Sequence, residues 1–457
     1  MQALGNALNS ALRALEANQL GLAVASNNIS NAQTPGYTRQ RAILSSIAGT
    51  SATLGIGAGV EVTGTEAIRD RLIDLRQRQE IASQAKDDMK HQGLSDIEML
   101  FNESDGTGML PLLTDFFNSF HALSTDPTSP NRRQEVLTNA SMLAGFLNSR
   151  ASSLVDVRTK IDRSLHEDVD QANALVDQIA ILTKRIAEQE AVSPAHELRD
   201  QRSVLVQKLS EIVEVHELES DGNYQLTVGS NRPLVYNAST AHLTTSTNSN
   251  GFTSIGLGID DITSEVTGGR MGARLDLRDQ NIPQYLGALD QLAFELVQNV
   301  NSVHSAGYDQ NGSTGNNFFA PLTGVAGAAQ AIALDPGVAG DPRKIAASDV
   351  ANGTGNGNAL ALGNLQNASV FSGGSIIEQY RGFIYALGSD TANADLGARQ
   401  HQALLTQLEN RRQQVSGVSI DEETVKILQF QRSFEASARV VKAVDELLQL
   451  TLSLGNN

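Results

Sequence analysis

The sequence contains no cysteine and no tryptophan, and aromatic residues make up only 4% of its 457 positions. Without cysteine the chain has no disulfide bond, no thiolate metal site and no cysteine nucleophile. The shortage of aromatic side chains predicts aliphatic cores, for which a hydrophobic content of 40% is sufficient. From the length alone we expect about three domains.

Basic residues are also scarce, because 34 Lys and Arg stand against 51 Asp and Glu and give a formal charge of −17. Binding to nucleic acid or to an anionic membrane requires clustered Lys and Arg, yet the densest basic sites are the pairs Arg132-Arg133 and Arg411-Arg412. Residues 1–30 carry Arg13 and Glu16 and no unbroken apolar run. We therefore expect no nucleic-acid partner, no membrane insertion and no cleaved signal peptide.

Motifs for catalysis and metal binding are missing from the sequence. His166-Glu167 and His196-Glu197 begin like a zinc-protease motif, but neither has a second His four positions after the first. The segment from Asp309 to Gly312 resembles part of a calcium loop, but its glycine is misplaced and the terminal Glu is absent, so it predicts a turn. The glycine-rich segment 55–59 lacks the strand, loop and helix of a nucleotide site. We expect no catalytic residue, no metal and no cofactor.

What the sequence does contain is a pair of matching apolar stripes at its two ends. Both have residues at alternating intervals of three and four positions, which is the spacing of a coiled-coil seam. The seam residues are Leu4, Leu8, Leu15, Asn18, Leu22, Ile29, Ile427, Phe430, Phe434, Val441, Val444 and Leu448. We predict that the two terminal helices pair and that these residues pack between subunits, with polar Asn18 fixing the register. The alternative is an ordinary helical hairpin that closes a domain.

Local signals mark where the terminal helices begin and end. The last helix opens with Ser419-Ile420-Asp421-Glu422, a capping box in which the Ser side chain satisfies a free amide and Glu422 reaches back to the Ser amide. The first helix spans roughly 28 residues, or about 42 Å, and ends in cap-forming residues from Ser26 to Asn31. Thr34-Pro35-Gly36-Tyr37 then has the Pro and Gly positions of a type II turn.

The first half of the chain is predicted to be helical between two β-like segments. Short strands are expected within residues 43–64, where small and apolar residues alternate. Helices follow from Ile68 to Leu100 and from Arg132 to Leu218, with breaks at 106–108 and 126–127. Residues 219–275 are rich in Thr, Ser and Gly and predict a β insertion.

Helix is predicted again in the second half, from Arg278 to His304 and from about Ile376 to the end, with breaks near Gly388 and Gly417. Between these helices, residues 320–372 are rich in Gly, Asn and Ala. We expect an outer surface region there, with one strand at 331–334.

These patterns together predict a mainly α fold with β insertions. Its parts are paired N- and C-terminal coiled-coil helices, a helical-bundle middle domain and one or two smaller outer β-rich regions. The expected domains are a terminal coiled-coil core (1–65 with 416–457), a helical middle domain (66–218 with 276–308 and 373–415), a β-rich outer insertion (219–275) and a Gly/Asn-rich outer region (309–372).

Residues 26–39, SNNISNAQTPGYTR, closely resemble the N-terminal signature of bacterial flagellar axial proteins, the family that forms the rod, the hook and the hook-associated structures. The residues that carry this match are Asn27, Asn28, Asn31, Pro35, Gly36 and Tyr37. Residues 416–452 resemble the C-terminal helix of the same family. The passages 197–202 and 268–319 resemble its hook-associated members and separate the chain from hook and rod proteins. Tyr37 either packs the turn against the terminal helices or contacts another subunit.

The resemblance implies a structural, non-enzymatic component of the flagellum that forms the junction between hook and filament and is required for filament assembly. It implies passage through the flagellar type III export apparatus, and therefore a transient cytoplasmic stage before an extracellular location in the flagellum. The chain is short for this family, which implies a reduced outer region.

The implied partners are copies of the chain itself in a helical ring, the hook protein on one side, hook-associated protein 3 on the other, and a flagellar export chaperone bound by the C-terminal helix. One alternative is that the chain is hook-associated protein 3 or another axial protein. The other is a secreted soluble effector or enzyme with coiled-coil ends.

Overall fold

The computed structural model describes residues 2–48, 57–102, 108–220 and 222–455. Parts of the glycine-rich segment 55–59 and of the predicted break at 106–108 lie outside these residues. In chain order the elements are α1 (Gln2–Ser30), β1 (Gln40–Ser46), β2 (Val60–Ala67), α2 (Arg71–Leu100), α3 (Met109–Thr125), α4 (Pro130–Glu190), α5 (His196–Ile212), β3 (Val215–Ser220), β4 (Asn223–Val228), β5 (Arg232–Tyr236), β6 (Ser239–Thr240), β7 (Leu243–Thr247), β8 (Thr253–Leu257), β9 (Asp260–Asp261), α6 (Gly269–Asp276), α7 (Ile282–Ala306), α8 (Ala328–Ala331), α9 (Pro336–Gly340), α10 (Gly357–Asn364), α11 (Ile376–Ser416) and α12 (Ile420–Gly455). The predicted class, mainly α with small β-sheets and long terminal helices, is confirmed.

The two ends of the chain form one terminal layer. Helices α1 and α12 pack against each other, as the matching stripes predict. Strands β1 and β2 form an antiparallel ribbon in the region predicted to contain strands. The ribbon lies beside α1, because a Cβ on Gly59 would be 2.8 Å from the Ser10 hydroxyl oxygen.

Long helices build the middle layer, and three of them, α2, α4 and α11, begin where a side chain satisfies free backbone amides. Asp70 caps α2 by accepting from two backbone amides. Ser129 caps α4, with Pro130 in its first turn, and Ser375 and Glu378 form a capping box at the start of α11. With 61 residues, α4 is about 90 Å long and extends through both cores of the molecule.

The first core lies between α3, the first half of α4, α7 and the start of α11. Phe116, Phe117 and Phe120 of α3 meet Phe318 and Phe319, and all five rings are fully buried. The ring centroids of Phe120 and Phe318 are 5.4 Å apart in an edge-to-face arrangement. The few aromatic residues are therefore concentrated in one place, and the expectation of an aliphatic core is wrong here.

The Gly/Asn-rich region also belongs to this first core, although an outer surface region was expected. Ile332, Ile345 and Leu362 are fully buried within it. The predicted strand at 331–334 is wrong, since α8 extends to Ala331 and only an isolated bridge pairs Leu334 with Phe319. The apolar residues of this region have no regular spacing, so the sequence contains no periodic signal that they face a core.

The second core joins the second half of α4 and α5 to the β region. Strands β3 to β6 form a four-stranded sheet and β7 to β9 a three-stranded sheet. The strands begin at Val215, before the predicted start at residue 219, and α6 begins at Gly269, within the segment predicted to be β. The N-cap of α6 is Gly268 and its first residue is Gly269, which has a φ of 67°. Two successive glycines are typical of a loop, so the sequence did not indicate a helix start here.

The long helix α11 passes through Gly388 without a break and ends just before Gly417. An interior glycine costs a helix about 1 kcal/mol relative to Ala, and the burial of Leu387 and Thr391 on the same helix outweighs that cost. The predicted break near Gly388 is therefore wrong, whereas the break near Gly417 is confirmed. The division of the chain into domains stays a prediction.

Candidate assembly site

The two predicted apolar stripes face each other in the α1 and α12 pair. The closest approach is at Gly21 of α1, where a Cβ would lie 2.6 Å from the ring of Phe430. Only glycine lets the ring reach the α1 backbone at this position. Sequence reasoning identified Phe430 but missed Gly21, because a glycine adds nothing to an apolar periodicity.

Pairing leaves most of the seam only partly covered. Asn18 and Val444 are buried, with exposures of 8% and 6%. The remaining seam residues are all partly exposed, namely Leu4, Leu8, Leu15, Leu22, Ile29, Ile427, Phe430, Phe434, Val441 and Leu448. The function of these residues as a subunit-packing seam stays a prediction.

A second set of apolar residues is exposed on α12, outside the seam. This outer row consists of Val425, Leu428, Val440, Leu447 and Leu450, with exposures between 46% and 64%. Val440 and Leu447 each directly precede a seam residue. The repeat of three and four positions among residues 440, 443, 447 and 450 was the available signal in the sequence. Exposed apolar residues grouped in this way are typical of an interaction site.

The signature segment after α1 forms the predicted type II turn. The Tyr37 amide donates to the Thr34 carbonyl at 3.1 Å, and Gly36 has a φ of 79°, as the third position of such a turn requires. The turn lies against α5, since a Cβ on Gly36 would be 2.5 Å from Cγ2 of Val204. Pro35 is exposed at its corner. Both the backbone angle and the contact therefore require glycine at position 36.

Asn28 is fully buried at the centre of this segment. Its side-chain amide donates to the Gln40 carbonyl at 2.9 Å and to Oε2 of Glu423 at 3.0 Å. Its side-chain oxygen accepts from the Tyr37 hydroxyl at 2.9 Å and from the Gln40 amide at 3.0 Å. These four bonds use the two donors and the two lone pairs of an Asn side chain. One residue therefore joins α1, the turn, β1 and α12.

Glu423 is the buried charge that receives this bond from Asn28, and its exposure is 1%. Arg39 Nε donates to it at 2.9 Å and Lys426 Nζ at 2.8 Å. Burial opposes ionisation of Glu423, but the bonds from Asn28 and Lys426 and the charges of Lys426 and Arg39 outweigh it, so the pKa of Glu423 is lowered. An ionised carboxylate is thus held between the two ends of the chain.

The start of α12 agrees with the predicted capping box in one of its two bonds. The Glu422 amide donates to the Ser419 hydroxyl at 3.4 Å. The Glu422 carboxylate accepts from Arg39 Nη2 at 2.8 Å in place of the expected Ser419 amide. The second half of the prediction is therefore wrong, because a long-range ion pair replaces the local bond.

The next residues of the signature bind the helical layer. The amide and the hydroxyl of Thr38 donate to Asp200 of α5 at 2.9 Å and 2.8 Å, and Arg69 forms an ion pair with the same carboxylate. Burial raises the pKa of Asp200 despite the opposing effects of Arg69 and Thr38. Burial, with the negative charges of Glu197 and Asp200, raises the pKa of Tyr37 to about 12, which keeps its hydroxyl a donor.

We refer to Asn28, Tyr37, Thr38, Arg39, Asp200 and Glu423 as the motif hub. The other two asparagines of the signature support it, since Asn27 donates to Glu197 at 3.2 Å and Asn31 donates to Oδ1 of Asn27 at 2.9 Å. Tyr37 is buried inside the hub, so its side chain packs the turn. Sequence reasoning singled out the signature but missed its partners Asp200 and Glu423, which lie 162 and 395 positions away along the chain.

The two histidines of the His-Glu pairs and Asp309, which were considered as metal ligands from the sequence, make contacts that hold the fold together. His196 Nε2 lies 3.0 Å from the Thr65 carbonyl oxygen, and His166 Nε2 lies 2.9 Å from the Thr253 hydroxyl. Asp309 accepts from the backbone amides of Asn311 and Ser313, which forms the predicted turn. Within the described residues no three His, Asp or Glu side chains converge as metal ligands would, and no helix is both long and apolar enough to cross a bilayer.

Three family models match the chain in the regions just described. The one described as flagellar hook-associated protein FlgK helical domain matches residues 94–319. Those described as flagellar basal body rod FlgEFG protein C-terminal and flagella basal body rod protein match residues 411–454 and 8–38. The flagellar hook-associated protein 1 of Bacillus subtilis is 29% identical in an alignment that covers 98% of this chain and 97% of that protein. The chain is therefore similar to flagellar hook-associated protein 1 from end to end.

Members of the hook-associated protein 1 family match the whole chain. The Escherichia coli relative is 24% identical over 99% of this chain and all of its own length, in an alignment of 550 positions. Since this chain has 457 residues, the relative contains insertions that this chain lacks. The flagellar hook junction protein FlgK from Burkholderia pseudomallei shares the fold, with a TM-score of 0.65 and 16% identity over 76% of this chain and all of that chain.

The chain is a structural component of the bacterial flagellum, because flagellar hook-associated proteins match it over its whole length. The two rod-protein models coincide with α1 and its turn and with α12. The terminal pair and most of the motif hub therefore lie in the parts that resemble rod proteins. The helical-domain model covers the end of α2 through α7.

Proposed function

We propose that the chain is the subunit that joins the flagellar hook to the filament and that filament assembly requires it. The observation that carries this proposal is the partly covered seam of the α1 and α12 pair, together with the exposed outer row. The relatives support it, because proteins named flagellar hook-associated protein 1 match the chain from end to end, and a flagellar hook junction protein shares its fold.

Neighbouring copies supply the missing cover for this surface. Burying a Leu, Ile, Val or Phe side chain completely contributes about 1.5 to 3 kcal/mol. The five outer-row side chains are about half exposed, so covering them contributes roughly 4 to 8 kcal/mol per subunit by the same area relation. That amount is enough to favour assembly once many such contacts act together.

Contacts between different surfaces of identical subunits generate open helical arrays when the rotation does not close. The seam and the outer row lie on different sides of α12, so one α12 can contact α1 of its own chain and an adjacent copy at the same time. We infer that the terminal pairs stack in this way into an inner tube, with the helical layer outside it.

The motif hub gives the terminal pair a fixed orientation in this arrangement. Thr38 and Arg69 bind Asp200 of α5, while Asn28 and Arg39 bind Glu423 of α12. Force applied to the terminal helices therefore reaches the helical layer through buried polar bonds, which depend strongly on geometry. A junction between two different filaments requires such a connection.

The proposed partners are other copies in the ring, the hook protein on one side and hook-associated protein 3 on the other. An export chaperone is the proposed partner before assembly. An amphipathic helix with anchors at intervals of three and four residues suits a groove on another protein. Before α12 pairs with α1, both its seam and its outer row are available to the chaperone.

We infer a building-block function without catalysis, performed outside the cell after export, because the matching relatives are flagellar structural proteins along their whole length. The hook-filament junction is the proposed site within the flagellum. The polar contacts of the motif hub position helices, and each of its charges is neutralised by a partner of this chain.

The proposal is tested in a strain that lacks the gene for this chain. We expect hooks without filaments and flagellin monomers in the medium, and we expect the wild-type gene to restore filament attachment. Electron microscopy of the cells and a flagellin immunoblot of the medium give the result. Normal filaments in the deletion strain would rule out the junction role, and hooks absent altogether would indicate an earlier role in the axial structure.

A further inference from the structure

The helix pair formed by α2 and α11 is apolar at one end and has polar contacts along the rest of its length. At the apolar end, Leu94 and Ile97 of α2 and Leu387 of α11 are fully buried in the first core. Towards the other end, Gln77 Nε2 donates to Oε2 of Glu409 at 3.1 Å. Such polar contacts each contribute little when partly exposed.

His401 of α11 lies at the centre of this polar stretch, between two carboxylates of α2. Its Nδ1 is 2.6 Å from Oε2 of Glu80 and its Nε2 is 3.7 Å from Oδ2 of Asp87. The two carboxylates are seven positions apart, so they share one face of α2.

The backbone of α11 is shaped to receive this arrangement. Gly397 lies one turn before His401, and a Cβ at this position would be 2.2 Å from Oδ2 of Asp87. The Asp87 carboxylate therefore rests on the α11 backbone at a residue without a side chain. Any other residue there would displace the Asp87 carboxylate from this position.

The protonated ring suits this geometry better than the neutral ring. A neutral imidazole has one N–H donor and one lone pair, whereas an imidazolium has two donors. With a carboxylate facing each ring nitrogen, the neutral form would direct a lone pair at a negative charge. Histidine side chains ordinarily change charge between about pH 5 and 8.

We propose that His401, held between Glu80 and Asp87, is a pH-sensitive clamp that closes the middle of the α2 and α11 pair when the imidazole is protonated and loosens it when the imidazole is neutral. The clamp acts inside the helical layer and is independent of the junction function proposed above.

Other charged groups lie close to the clamp. Lys86 and Lys90 lie beside Asp87 on α2, as does Asp88, and Lys86 is bound to Asp276 of α6 at 2.9 Å. Burial raises the pKa of Asp87 and the charge of His401 opposes this, so the imidazolium favours the ionised carboxylate that it faces.

The test measures the separation of the two helices in the full chain. Because the sequence contains no cysteine, Gln79→Cys and Gln407→Cys, both at exposed positions, place spin labels at two defined sites. Distance distributions are recorded at about pH 5.5 and about pH 8.5, on either side of the histidine range. Loss of the two partly exposed ion pairs of His401 should make the open fraction roughly 3- to 10-fold larger at the higher pH.

Matched variants separate the clamp from a general effect of pH. His401→Gln should give an enlarged open fraction that no longer depends on pH, and Asp87→Asn should reduce the pH response even if His401→Gln does not fold. His91→Gln changes another half-buried histidine of the same helix pair and should retain the wild-type response. An open fraction in the wild type that is equal at both pH values, or a full response in His401→Gln, would overturn the proposal.

Discussion

Replacing Asn28 with Ala gives the sharpest test of how the two ends of the chain are joined. Asn28 makes four hydrogen bonds at 2.9 to 3.0 Å and has no exposed surface. The replacement leaves the amide and the carbonyl of Gln40, which is itself buried, without these partners. It also removes one of the bonds that hold the ionised Glu423.

The expected cost follows from these lost partners. A buried backbone group without a hydrogen bond costs about 1 to 3 kcal/mol, and a lost bond to a charged group costs about 1.5 to 3 kcal/mol. Water entering the small space left by the side chain recovers part of this. We therefore expect the segment that contains the turn and β1 to open more easily by roughly 3 to 5 kcal/mol.

Amide hydrogen exchange of residues 34–46 measures this local opening at fixed pH. A decrease of 3 kcal/mol or more in the free energy of local opening corresponds to exchange that is at least about 100-fold faster. The control is Asn27→Ala, one position earlier in the same signature. Its side-chain bonds, at 2.9 to 3.4 Å, are partly exposed, so their loss should cost much less than that of the Asn28 bonds, about 1 kcal/mol. If both variants exchange alike, the assignment of the hub to Asn28 is refuted.

Three further outcomes are expected. Burial lowers the pKa of His304 to about 4, so the unfolded chain binds a proton at higher pH than the folded chain does. The free energy of unfolding of the first core should therefore fall by about 3 kcal/mol between pH 6.5 and 4. Calorimetry should show this dependence in the wild type and not in His304→Gln. The pKa of Glu423 is lowered, so the ionised carboxylate stabilises the fold at pH values above the ordinary carboxyl pKa. This stabilisation is lost as the pH falls through the pKa of Glu423 in the folded chain. Glu423→Gln should therefore lower the melting temperature at pH 7, and its difference from the wild type should vanish in acid. Val440→Asp with Leu447→Asp should abolish filament attachment without loss of helicity by circular dichroism, whereas Leu396→Asp, at a similarly exposed position of α11, should leave attachment intact.

Several features of the fold could be predicted because their causes are local. The seam from Ile427 to Leu448 is a repeat along one helix, and such a repeat determines which side of the helix is apolar. The turn at Pro35 and Gly36 follows from the fixed φ of proline and the positive φ that glycine allows. The cap at Ser419 depends on an amide only three positions away.

Other predictions failed where distant packing outweighed a local signal. Gly388 lies within a continuous helix because its neighbours are buried. The region around Ile345 belongs to the first core although its composition resembles that of a surface loop. The Glu422 carboxylate binds Arg39 in place of its own helix start, because a charged donor from another element makes the stronger bond.

The sequence by itself therefore determined the fold class, the apolar sides of the two terminal helices, the turn that follows α1 and the family to which the chain is similar. Only the tertiary structure decided which polar groups meet: Asn28 with Glu423, Thr38 with Asp200, and His401 with Glu80 and Asp87. The physical reason is one of range. Spacing along the chain fixes the direction of a side chain on its own helix, whereas a hydrogen bond also requires the position of a partner that lies hundreds of residues away and is set by the packing of every element between them.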